Sequence, residues 1–273
     1  MKQSRPLFLR NKLLRNCLSM TVLAVLFGAC SRQIKIPDAN ESLRSDPPEK
    51  AWARVLSRYV DTQGRVNFEE LAKHPEDLHH YVRYVSETSP DRHPDKFPTR
   101  EERIAFYLNS YNALSMYNII DAGVPESLSG LKKFNIFFLR KFTIGGEVMS
   151  LYRYESDFIR KQGEERVHFA LNCMSVGCPI LPQKPFEGAS LNKTLDEAAE
   201  FFFSEARNLR IDTEKKKLFL SEILKFYTDD FLKKAPSLNA YVNLHRKEKV
   251  PLDYDVEFIP YDWTVNRQPK ELT

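Results

Sequence analysis

The sequence predicts an α+β domain in which a helix-rich N-terminal half packs on short antiparallel strands. Two observations carry that prediction. Apolar residues recur at helical spacing from residue 49 to 123, whereas β-compatible runs appear only later, short and set off by turn signals such as Gly145-Gly146. Helices and strands do not alternate regularly, which argues against a doubly wound parallel sheet, and no internal repeat is present. At 273 residues, 42% hydrophobic and 29% charged, the chain can bury a large core without staples. Collagen-like, low-complexity and wholly disordered readings are excluded.

Glu49 to Val60 carries Trp52, Val55, Leu56 and Tyr59 at helical spacing, and Asp61-Thr62-Gln63-Gly64 ends it. Phe68 to Ser86 predicts one or two helices interrupted near Pro75, and the polar stretch from Ser89 to Pro98 is loop. Thr99 and Glu102 form a capping box before a long helix through Ile104, Leu108, Leu114 and Ile119 that Gly123 closes. Lys141 to Ser150 predicts a hairpin, Leu151 to Lys161 a helix stopping at Gly163, and Leu191 to Ala206 another helix. Arg166 to Asn172 predicts a strand, because Val167, Phe169 and Leu171 alternate with His168, Ala170 and Asn172. Leu209 to Ile211 and Leu218 to Leu220 bracket a charged turn as a second hairpin. Ser221 and Pro236 open two more helices, and Val256 to Trp263 predicts a last strand. The aromatic runs Phe134 to Phe138 and Phe201 to Phe203 are expected in the core rather than at an interface.

The formal charge of +4 is misleading. Five of the 41 basic side chains (Lys2, Arg5, Arg10, Lys12 and Arg15) lie within residues 1–29, where there is no acid, the first being at residue 38; that leaves 36 basic against 37 acidic groups after residue 29. A nucleic-acid binder keeps a basic excess to displace counterions, so no nucleic-acid partner is expected. The basic start followed by the apolar stretch from Cys17 to Ala29 predicts an export signal, too short to span a bilayer comfortably. Phe27-Gly28-Ala29-Cys30 resembles the lipobox of bacterial lipoproteins, with Phe27 in place of the usual Leu. That resemblance implies a lipidated Cys30 that anchors the protein to a membrane, periplasm-facing, with Ser31 favouring the outer membrane. The expected organisation is a signal peptide over 1–29, a lipidated flexible tether over 30–50 and one domain over 51–273.

Chemistry is expected where the strand through His168 ends in Asn172-Cys173-Met174-Ser175-Val176-Gly177-Cys178-Pro179, a turn rich in polar and nucleophilic groups. Four readings stand open there: a disulfide between Cys173 and Cys178, two buried inert thiols, zinc on His168, Cys173 and Cys178, and a catalytic thiol. His168 and Cys173 point to opposite faces of a regular strand, so their pairing requires a bulge or an early turn. Asn109 and Asn112 share a face of the long helix, either to bind a ligand or to hold a neighbouring loop. Glu155 either orients His168 or lies on a solvated helix face beside Arg153 and Arg160. A Gly-rich phosphate loop, a dinucleotide fingerprint and a His-Glu-x-x-His helix are all missing, so no cofactor and no resident metal are expected.

Taken together, Asn109 to Asn112, Leu151 to Arg160, His168 to Pro179, Ile223 to Tyr227 with Asp230-Phe231, and Tyr261-Asp262-Trp263 resemble the DUF547 family, in order over most of residues 51–267. The family's activity is not established, and it is common among exported bacterial proteins. The resemblance implies a papain-like or transglutaminase-like architecture with Cys173 as nucleophile, His168 as base and Glu155 or Asn112 as orienting group. Ser156 stands where that pattern leads one to expect His. Two functions follow as expectations. One is a thiol-dependent hydrolase or acyl transferase acting on an amide or ester in the cell envelope, with backbone amides near Gly177 stabilising the oxyanion. The other is a non-catalytic envelope protein that binds a peptide, glycan or protein partner in a groove lined by Asn109, Asn112, Gly177 and Cys178.

Overall fold

The computed structural model describes residues 31–36 and 45–269. The expected signal peptide and Cys30 lie outside the described residues. Helix covers 48% and strand 14%, the α+β balance expected from the sequence.

Strand β1 (Arg32–Gln33) runs parallel to β2 (Arg140–Ile144), and β3 (Glu147–Ser150) pairs antiparallel with β2 around Gly145-Gly146. β1 corrects the expected tether. Ile34 is only 2% exposed, its amide donates to the Lys141 carbonyl, and Tyr117 Oη donates to the Lys35 carbonyl. An apolar residue that can be buried overrides the polar, Pro-rich composition around it.

Helices α1 (Pro48–Tyr59), α2 (Phe68–Lys73) and α3 (Glu76–Glu87) follow the predicted spacing, with the break at Pro75. They pack about α4 (Arg100–Asp121), whose residues from Ile104 to Ile119 are all buried. The predicted capping box is present in both directions: Thr99 Oγ1 accepts from the Glu102 amide, and Glu102 Oε2 accepts from the Thr99 amide. Helix α5 (Leu131–Phe134) runs into a wide turn (Asn135–Leu139). Helix α6 (Leu151–Tyr154) likewise continues through Glu155–Ile159 and stops at Gly163, whose φ is +67°.

Next comes the main departure from expectation. Glu165–Phe169 is a short 3₁₀ helix, not a strand, with the Glu164 carboxylate accepting from the Arg166 amide at its start. Val167, His168, Phe169 and Ala170 are all buried, so their alternation carries no information about faces. The objection that His168 and Cys173 must diverge therefore disappears.

Helix α7 (Leu191–Ser204) leads to β4 (Leu209–Asp212) and β5 (Lys217–Ser221), the second predicted hairpin. Three short helices follow, α8 (Glu222–Phe226), α9 (Thr228–Phe231) and α10 (Leu238–Val242). The last strand, β6 (Asp255–Ile259), ends earlier than expected and pairs parallel with β5, so each sheet is mixed rather than antiparallel. A large core surrounds α4, and a second, aromatic one gathers Phe169, Phe202, Phe203, Phe231 and Tyr241 beside the β4-β5-β6 sheet. Phe134, Phe138 and Phe201 lie at the surface instead of in these cores. Among the described residues no helix is long and apolar enough to cross a membrane.

Candidate functional site

The turn from Asn172 to Pro179 is held on every side. Asn112 on α4 donates to the Ala170 carbonyl and accepts from the Asn172 amide, while Asn172 accepts from the Met174 amide and donates to the Pro179 carbonyl. The Val176 and Gly177 amides donate to the Thr264 and Asp262 carbonyls, and Arg207 donates to the carbonyls of Val176 and Cys178. Met174 takes the left-handed conformation, φ +68°, that lets the chain reverse over so few residues.

That turn brings the two cysteines together as free thiols with their sulfurs 3.1 Å apart. Cys178 Sγ accepts from the Cys173 amide at 3.0 Å and lies 3.0 Å from Tyr261 Oη and 3.4 Å from Ser175 Oγ. Cys173 Sγ is 3.1 Å from Ser175 Oγ and 3.5 Å from Tyr261 Oη. These donors favour charge on one sulfur and disfavour it on the second. Hydrogen bonding to Cys178 and burial push the Cys173 thiol up. Burial also acts to raise Cys178, but hydrogen bonds from Cys173, Ser175 and Tyr261 outweigh it and bring that thiol below its usual range. Of the pair, Cys173 is the more exposed and Cys178 is buried.

Both sulfurs line a cavity of about 300 Å³ walled by Tyr111, Phe137, Phe138, Tyr152, Phe226, Tyr227, Tyr261 and Trp263. Phe138 and Tyr152 are exposed at its lip, their rings 4.5 Å apart. The Lys133 ammonium sits 3.8 Å over the Trp263 ring with no carboxylate within ion-pair distance among the described residues. Burial lowers its pKa, while the Cys173 sulfur and Glu222 act to raise it.

His168 lines the same cavity but makes no hydrogen bond to either sulfur. Its ring stacks on Tyr227 at 3.7 Å, Nε2 lies 3.0 Å from Asp230 Oδ2, and Nδ1 is buried without a partner. Asp230 also takes Arg160 Nε at 2.7 Å and Lys233 Nζ at 2.9 Å. Hydrogen bonds from His168, Arg160 and Lys233 hold its carboxyl far below the usual carboxylate range, against the opposing effect of burial.

Several expected roles are corrected. Glu155 does not orient His168; it accepts from Tyr111 and Tyr227, the latter at 2.6 Å, and Asp230 takes the place beside the imidazole. Asn112 uses its amide to hold the cysteine turn. Asn109 binds the Phe186 backbone and accepts from Trp52 Nε1, so neither Asn lines the cavity. The Gly177 amide is occupied by Asp262 and is not free to stabilise an oxyanion. Sequence reasoning missed Ser175, Lys133, Tyr227, Asp230 and Tyr261 as site residues. Tyr227, Asp230 and Tyr261 stand inside motifs already conspicuous in the sequence, but nothing local there announces partners 62 to 88 residues away. Among the described residues no group of three His, Cys, Asp or Glu side chains is arranged to hold a metal ion.

A mixed α/β domain with paired thiols beneath an aromatic cavity is thus the class that fold and site define. Residues 94–203 match the family described as "Protein of unknown function, DUF547". The matched segment includes α4, Glu155, His168 and both thiols, while Tyr227, Asp230 and Tyr261 lie beyond it. No curated protein and no solved structure matches the chain.

Proposed function

We propose that the cavity performs thiol-dependent acyl transfer on an amide or ester carbonyl, as a hydrolase or an acyl transferase. The observation that carries this reading is the 3.1 Å contact between the more exposed Cys173 thiol and a Cys178 sulfur surrounded by donors. Cys173 Sγ attacks the carbonyl carbon, and its proton passes to Cys178 Sγ. The oxygen that becomes negative accepts from Tyr261 or Ser175, the hydroxyl donors beside the sulfur. Collapse breaks the C–N or C–O bond, and the departing amine or alcohol takes the proton back from Cys178. The acyl group on Cys173 then passes to water or a second acceptor deprotonated at His168 Nδ1, with Asp230 stabilising the imidazolium. The aromatic walls suit an apolar or aromatic acyl group, and Lys133 favours a substrate with a negative group near the scissile bond.

The test uses the full-length reduced chain and p-nitrophenyl acetate. A stoichiometric burst of nitrophenolate is expected, lost in Cys173→Ala and slowed at least tenfold in Cys178→Ala. Iodoacetamide labelling of Cys173 should rise as the pair loses its first proton, the one from Cys178 whose sulfur then serves as base to Cys173, and so with a midpoint below the ordinary thiol value of about 8.5. No burst, together with labelling of Cys173 no faster than a free cysteine, leaves the cavity as a binding site for an envelope peptide, glycan or protein.

The same proposal places the domain in the cell envelope, held through lipid on Cys30 and periplasm-facing at the outer membrane. The support is the sequence pattern before Ser31. Cys30→Ser should release the protein from membranes into the soluble fraction; unchanged detergent partitioning contradicts the anchor.

A further inference from the structure

The two thiols are nearer to each other than an acyl-transfer site needs, and the backbone around them is fixed. We propose that Cys173 and Cys178 close reversibly into an intramolecular disulfide by exchange with a small-molecule disulfide such as oxidised glutathione, and that closure switches off the cavity's thiol chemistry. The switching half rests on the acyl-transfer reading; the disulfide site does not.

A disulfide brings sulfurs to about 2.05 Å, roughly 1 Å nearer than the 3.1 Å seen here, a distance that rotation about the side-chain bonds covers. The backbone has little need to move. The Cys178 amide donates to the Ser175 carbonyl within the turn, and Asn112, Asp262, Thr264 and Arg207 clamp it from outside. Exposure is graded in the order the chemistry requires. Cys173, the more exposed thiol of the cavity lining, meets the external disulfide, and buried Cys178 resolves the mixed disulfide.

In the first step Cys173 Sγ attacks one sulfur of oxidised glutathione, its proton moves to Cys178 Sγ, and one glutathione thiolate leaves and recovers that proton. In the second, the Cys178 thiolate attacks the Cys173 sulfur and expels the second glutathione thiolate. The protein gives up two electrons and one oxidised glutathione is reduced to two thiols, so the exchange balances. Cys173 is then no longer a nucleophile, and the Tyr261 and Ser175 hydroxyls lose their anionic acceptor.

For the test, the full-length chain is reduced and desalted without oxygen, then equilibrated at pH 7 across glutathione buffers. It is quenched with acid and alkylated, and the peptide containing both cysteines is weighed. The expected product is two hydrogens light and unalkylated, its fraction tracking oxidised glutathione over the square of reduced glutathione. Cys178→Ser should stop at a single glutathione on Cys173. Wild-type protein that retains two alkylatable thiols, or one glutathione adduct, in the most oxidising buffer overturns the disulfide. The oxidised protein should lose the nitrophenolate burst at least tenfold and regain it with dithiothreitol; an undiminished burst overturns the switch. A light peptide without any burst from the reduced protein retires the acyl-transfer reading and leaves the disulfide site standing.

Discussion

Asp230 accepts from three cationic or ring nitrogens while its own side chain is mostly buried, an arrangement that ties the charge of one carboxylate to the placement of an imidazole. A carboxyl held far below its unfolded value stabilises the native state fully above the unfolded carboxylate range and loses that contribution as pH falls towards the folded value. Asp230→Asn should therefore destabilise the domain by roughly 1–3 kcal/mol at neutral pH, since hydrogen bonds to a charged acceptor are lost. Thermal melts of both proteins should show that gap constant above about pH 4 and narrowing below it. A gap that widens on acidification contradicts the assignment. At this scale the sequence is half legible. Cys173, Cys178 and His168 stand within one short segment; Asp230 lies 62 positions from its imidazole, and nothing local favours it over Glu155 as a carboxylate partner.

The elements separate by the kind of signal each one carries. Capping box, helical spacing and glycine hairpin are local, so α1, α4 and the β2-β3 hairpin could be read directly. Glu165–Phe169 could not, because Val167 to Ala170 are all buried and leave no exposed face for polar residues to mark. The same holds for β6, whose parallel partner is set by packing beyond any turn. The joint next to the cysteine turn is tight at Gly177, where an added Cβ would stand 2.9 Å from the Asp262 nitrogen and from the Tyr261 ring. Gly177→Ala should cost about 1–3 kcal/mol in denaturant unfolding. It should also slow alkylation of Cys173 several-fold, because the Tyr261 hydroxyl is pushed off the sulfurs. Unaltered stability and alkylation would show that the ring yields without consequence.

Over the whole molecule, the segment around residue 169 belongs to both cores: Val167 and Ala170 pack with α4 and its neighbours, and Phe169 inserts among Phe202, Phe203 and Phe231 at 4.8 to 5.6 Å. Phe169→Ala should destabilise the protein by about 3–5 kcal/mol. If the cores are one cooperative unit, circular dichroism and Trp52 or Trp263 fluorescence will report a single shared transition. Two separated transitions would mean that the cores melt independently and that the site, built from both, opens before either is lost.

The docking of residues 32–36 sets a length. Were Cys30 lipidated as proposed and all of residues 31–48 slack, the mouth of the cavity would sweep freely above the bilayer. With Ile34 fixed in the domain, only four residue steps separate that anchor from folded protein, a leash of about 14 Å at full stretch. An anchored molecule would ride close against the lipid headgroups with its β1 edge facing them, and its orientation, not only its address, would be set by the few residues that follow Cys30.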